Sequence, residues 1–149
     1  MRIFWIFLVL FACDSPITTK QSAFFAPEFG ASSHNSITTE CNYSFSINKI
    51  ARIQHLDNCN FNIDYYNLNA KIFFSSINIK NNFPDIIKVF DDRIIDNSAN
   101  VTEVKVSEYT DDQILVYSRM FTYVGNAPSN VQFYLTDSTS NFLAGSLFF

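Results

Sequence analysis

The stretch Phe83-Pro-Asp-Ile-Ile-Lys-Val-Phe-Asp-Asp-Arg-Ile-Ile95 decides the fold, because the hydrophobic period of the chain changes there. Phe83, Ile86, Ile87, Phe90 and Ile94 recur at helical spacing and form one apolar stripe. Pro84 suits the first helical position, Asp85 complements the positive helix start, and Asn97 to Asn100 reads as the end. On either side the period is two. Tyr43, Phe45 and Ile47 alternate with serine and asparagine, Phe61 and Ile63 with Asn62 and Asp64, and Ile72, Phe74 and Ser76 face away from Lys71, Phe73 and Ser75. After the helix come Val104-Lys-Val106, Ile114-Leu-Val116 running on toward Val124, Val131 to Leu135, and Phe142 to Phe149. Asp111-Asp112 and Gly125-Asn126-Ala127-Pro128 punctuate them as turns. Strands, one helix, then more strands without repeated alternation predict an α+β fold: a mainly antiparallel sheet with one amphipathic helix packed on one face. The other face is expected to be wet or covered by the segment before Cys41.

That preceding segment reads in two parts. Met1-Arg2 is followed by ten apolar residues, Ile3 to Ala12, and then by Cys13-Asp14, the pattern of a short export signal. As a helix the run would be about 15 Å long, half of a ~30 Å hydrocarbon core, so it cannot span a membrane. Leu10-Phe11-Ala12-Cys13 fits the lipobox of bacterial lipoproteins, with Phe11 bulkier than usual, and marks Cys13 for lipidation. A diacylglycerol thioether plus an amide-linked palmitate would supply the two lipid signals that stable anchoring takes. The competing reading is an ordinary signal peptide that happens to contain a cysteine. Asp14 to Glu40 is Ser/Thr-rich, carries Pro16, Pro27 and Gly30, and shows no sustained period. We therefore expect a lipoprotein signal peptide over 1–12, a lipidated N-terminus and polar tether over 13–40, and one globular domain over 41–149. Phe24, Phe25 and Phe29 interrupt the tether and are expected to dock on the globule, or else on a partner.

Composition excludes several functions. With 149 residues the chain holds one domain and an appendage, and 48% hydrophobic against 16% charged residues excludes disorder of the whole. A net charge of -4 with no basic run argues against a nucleic-acid partner. Three cysteines in an exported chain divide into Cys13 for lipid and Cys41 and Cys59, which can pair or remain as two buried thiols. A bridge would close a loop of about 18 residues and contribute roughly 3 kcal/mol. His55 lies four before Cys59, but neither a third ligand nor a Cys-x-x-Cys pair accompanies it, so no metal is expected. His34 falls in the tether and His55 in a polar turn, too far apart in role for a catalytic triad. The acid pairs Asp91-Asp92 and Asp111-Asp112 read as solvated charges, and three glycines leave no phosphate loop. No cofactor and no catalytic residue are expected.

The densest local information is the run from Tyr123 to Phe149. It reads as turn, strand, turn, strand, with Thr136-Asp137-Ser138-Thr139-Ser140 offering side-chain hydrogen bonds that reverse the chain. Gly125, Asn126, Ala127 and Ser129, then Gln132-Phe133-Tyr134, Thr136-Asp137-Ser138, and Phe142-Leu143, Gly145 and Leu147 make this stretch similar to the gliding motility-associated lipoprotein GldD family. Cys41-Asn-Tyr-Ser-Phe45 and Cys59-Asn-Phe-Asn-Ile63 resemble that family's two Cys-led strands, Ala70 to Ser76 its next one, and Cys13 its lipidation site. Ala144 stands where the family has Arg, and Asp96 to Asn100 replaces a Lys/His-rich segment. The chain stops at Phe149 inside an apolar strand, short of the family pattern, and that strand is expected to want another neighbour.

The resemblance implies a membrane-anchored, periplasm-facing lipoprotein with a non-catalytic structural role in assembling the gliding motility and type IX secretion machinery. Its partners would be membrane lipid and other machinery proteins. The expected interaction surface is Gly125, Asn126, Ser129, Gln132, Tyr134, Thr136, Asp137 and Ser138. The alternative is an exported α+β module whose helix and sheet enclose a small hydrophobic ligand.

Overall fold

The structure, a computed structural model, describes residues 33–41 and 43–149. The leader, Cys13 and the Phe24 to Phe29 stretch lie outside the described residues. Nine strands and one helix follow in the order β1 (His34–Thr38), β2 (Ser44–Asn48), β3 (Arg52–His55), β4 (Phe61–Tyr65), β5 (Ala70–Asn78), α1 (Phe83–Asn97), β6 (Val101–Asp111), β7 (Val116–Gly125), β8 (Val131–Thr136) and β9 (Asn141–Phe148). β1 and β2 pair as a separate hairpin; the other seven form one sheet in the order β3-β4-β5-β9-β8-β7-β6. Every pairing is antiparallel.

The helix returns the chain from the end of β5 to the start of β6, so these two strands run the same way with three places between them. β7, β8 and β9 fill those places in turn. β9 lies between β5 and β8 and is hydrogen-bonded on both sides, so the last strand has both neighbours and the sheet edges are β3 and β6. We call the end of the sheet where β3, β5, β6 and β8 begin the near end, and the other the far end.

Each face is covered over half its width. On one face Ile86, Phe90 and Ile94 of α1 pack on Phe121 and Tyr123 of β7, Tyr134 of β8, and Phe142 and Ala144 of β9. Phe90 meets the Tyr134 ring edge-on at 5.2 Å between centroids and Phe142 at 6.0 Å, so rings fill the space between helix and sheet. On the opposite face Ile47 of the hairpin joins Phe61 and Ile63 of β4, flanked by Ile37, Phe45, Ile53, Ile72 and Phe74. The rings of Phe45, Phe61 and Phe74 stack in a row, 5.2 and 4.5 Å apart.

Two strands lie where the sequence pattern shows none. His34–Thr38 falls within the stretch read as tether, and only Ile37 there is apolar; the strand exists because it pairs with β2 from Thr38↔Ser44 to His34↔Asn48. His55, read as part of a polar turn, is the last residue of β3 and pairs with Phe61. β7 begins only at Val116, because Ile114 and Leu115 belong to the turn, with Leu115 at φ 53°.

Candidate functional site

The residues that carried the sequence expectation divide between both ends of β8. At the near end, Gly125 sits at φ +121°, and a Cβ there would lie 3.0 Å from the Thr102 amide nitrogen, so the turn into β8 needs glycine. Gly125 and Asn126 are exposed, whereas Ser129 is buried with its hydroxyl unpartnered among the described residues. Along the strand Gln132, Tyr134 and Thr136 all point under the helix and are buried. Tyr123 donates its hydroxyl to Gln132 Oε1 at 3.3 Å, and burial pushes both Tyr123 and Tyr134 above the ordinary phenol pKa.

At the far end Thr136, Asp137 and Ser138 build the β8–β9 turn. One Asp137 oxygen accepts from the amides of Thr139 (2.9 Å), Ser140 (2.7 Å) and Asn141 (2.9 Å), while the other accepts from Asn141 Nδ2 at 2.8 Å. Thr136 Oγ1 donates to the Asn141 carbonyl and accepts from the Ser138 amide, which lets Ser138 take φ 63°. Partial burial alone would raise the Asp137 pKa; the four donors outweigh it and hold the carboxyl at about 2. The structure thus places the turns Gly125–Asn126 and Asp137–Ser138 at the surface, and Ser129, Gln132, Tyr134 and Thr136 in the interior that shapes them.

Cys41 and Cys59 form a disulfide with Cα atoms 6.1 Å apart. It ties the turn of the β1–β2 hairpin to the β3–β4 turn at the far end. Asn58 and Cys59 are both left-handed, at φ 57° and 63°, a strained conformation for Cys. The Tyr43 hydroxyl donates to the Cys59 carbonyl at 3.2 Å and, with the bridge, holds that turn. A cleft of about 670 Å³ opens beside the bridge, lined by residues that include Glu40, Tyr43, His55, Asp57 and Phe61. It lies at the far end and not between helix and sheet, where the alternative ligand site was expected.

His34 and His55 fall at opposite ends of their layers, the first opposite Asn48 and the second opposite Phe61, and do not meet. Among the described residues no group of three or more His, Cys, Asp or Glu is placed to hold a metal ion, and no helix is long and apolar enough to cross a membrane. Sequence reasoning missed one contact in the motif itself: a Cβ on Gly145 would lie 2.3 Å from Cζ of Phe133, because that ring covers Gly145 from the neighbouring strand.

A helix-backed antiparallel sheet whose densest motif builds turns and packing defines a small disulfide-linked α+β domain. Residues 14–149 match the family described as gliding motility lipoprotein GldD, and the chain belongs to that family. It is therefore a motility-associated, membrane-anchored lipoprotein by family. No curated protein and no solved structure matches the chain.

Proposed function

We propose that the chain is a non-catalytic structural component that supports assembly of the gliding motility and type IX secretion machinery. In this reading lipid on Cys13 holds it at the membrane, the body faces the periplasm, and it works by contact with machinery proteins. The family match over 14–149 carries the reading, since it covers the whole described body. Two further features support it. The polar side chains of the motif are spent on turn geometry and core packing, and its exposed parts are the two turns Gly125–Asn126 and Asp137–Ser140. Such turns are surface loops carried on the sheet, suited to a protein contact.

Co-purification tests this. The tagged full chain, extracted from native membranes after cross-linking, is expected to bring down secretion components. A Ser138→Arg/Thr139→Arg variant, changed at exposed positions, should retain its membrane location and lose much of that yield. Recovery of the wild type from the soluble fraction with no machinery protein attached would contradict the proposal.

A further inference from the structure

We propose that the near end of the sheet is a bilayer-contact surface that takes anionic phospholipid headgroups, so that, of the two exposed turns, Asp137–Ser140, at the far end, is the one presented to proteins and Gly125–Asn126 faces the bilayer. This rests on the anchoring reading above and adds an orientation to it. The chain enters the described body at the near end: the Lys49 amide donates to the Ser33 carbonyl at 2.9 Å, at the turn between β2 and β3. From Ser33 back to Cys13 the chain is 20 residues, so the segment that carries an acylated Cys13 would join the body at the near end.

The side chains there suit a headgroup layer. Ile50 (49% exposed) projects from the β2–β3 turn, Tyr66 (66%) from the 3-10 turn between β4 and β5, and Phe148 (37%) from the end of β9. Cations stand beside the rings: the Arg52 guanidinium lies over Tyr66 at 5.2 Å, and Lys71 Nζ over Phe73 at 5.2 Å. Long basic side chains next to half-exposed aromatics can lay their stems on hydrocarbon while the charge stays among phosphates.

Apolar exposure alone does not choose an end, because Ile114 (65%) and Leu115 are exposed at the far end. Charge does. Glu40, Asp57, Asp85, Glu108, Asp111, Asp112 and Asp137 gather in the far half, where the cations among the described residues are Lys80, Lys88 and Arg119, the last two paired with Asp92 and Glu108. At the near end Lys49, Arg52, Lys71 and Lys105 outnumber Asp64, Asp96 and Glu103, and Asp64 and Glu103 are themselves paired with Lys71 and Lys105. An anionic bilayer therefore repels one end and attracts the other, although the chain as a whole is negative.

Trp5 is the one tryptophan of the sequence and falls in the leader that precedes Cys13, so the acylated chain allows single reporters. Ile50→Trp and Ile114→Trp, made in the acylated full chain, are reconstituted in phosphatidylethanolamine vesicles with a phosphatidylglycerol minority and brominated acyl chains. A side chain seated ~5–10 Å into the headgroup–acyl boundary should lose roughly half of its emission, so Ile50→Trp is expected to be blue-shifted and quenched. Ile114→Trp should stay unquenched. Adding Lys49→Glu and Arg52→Glu should reverse the Ile50→Trp quenching with the melting temperature unchanged. Equal quenching at both ends, stronger quenching at Ile114→Trp, or none at Ile50→Trp with Cys13 acylated would overturn the orientation and leave the anchor standing, the last including a near end occupied by protein. An unacylated chain left in the supernatant would overturn both.

Discussion

Asp137 shows at the scale of one residue how a recognisable motif can be structural. Its carboxylate gathers three backbone amides and one side-chain amide, so Asp137→Ala should destabilise the domain by about 2 kcal/mol in urea titrations, most of it from bonds to a charged acceptor. The folded pKa of about 2 lies below the ordinary 3.8, so this contribution is complete above the ordinary value and is lost as pH falls toward 2. A wild-type stability profile should therefore drop more steeply with acid than that of Asp137→Asn; parallel profiles would refute the assignment. Gly145 makes a second test. Gly145→Ala must push the Phe133 ring aside, costing about 1–3 kcal/mol, whereas the pair Gly145→Ala/Phe133→Leu should cost less than the sum of its members.

Elements add what single residues cannot. Phe90, buried under the helix against Phe121, Tyr134 and Phe142, should cost about 3–5 kcal/mol as Phe90→Ala, while Val89→Ala on the exposed side should stay within about 0.5 kcal/mol. Comparable losses at both positions in denaturant melts would place the helix wrongly. The helix was legible because its stripe is local: five apolar residues at 3.6-residue spacing need no partner to be seen. β4, β5, β8 and β9 were legible for the same reason at period two. β1 and β3 were not, since His-Asn-Ser-Ile-Thr and Arg-Ile-Gln-His each hold a single aliphatic residue and become strands only through pairing with β2 and β4. The placement of β9 in the middle of the sheet was equally hidden, because strand order is set by the crossover of α1 and leaves no mark on the strand itself. Burial of Gln132 on the helix side of β8, and of Ser129 in the turn before it, escaped for a related reason: polar residues in a strand or turn read as solvent-facing.

At the scale of the molecule, one covalent tie among the described residues joins the β1–β2 hairpin to the sheet it covers. The Cys41–Cys59 bridge closes 18 residues that include the whole of β2 and β3, so reduction should lower stability by roughly 3 kcal/mol. The hairpin should show faster amide exchange than β7 to β9 after reduction; unchanged exchange there would mean that the apolar contacts of Ile47 and Phe45 hold the hairpin alone. Everything about location depends on the other cysteine. Mass analysis of the amino-terminal peptide after growth with labelled palmitate is the most direct measurement. Label is expected on a peptide beginning at Cys13, with membrane partition, and both are expected to be lost in Cys13→Ala. A wild-type chain that carries no label and partitions with soluble proteins would contradict this expectation.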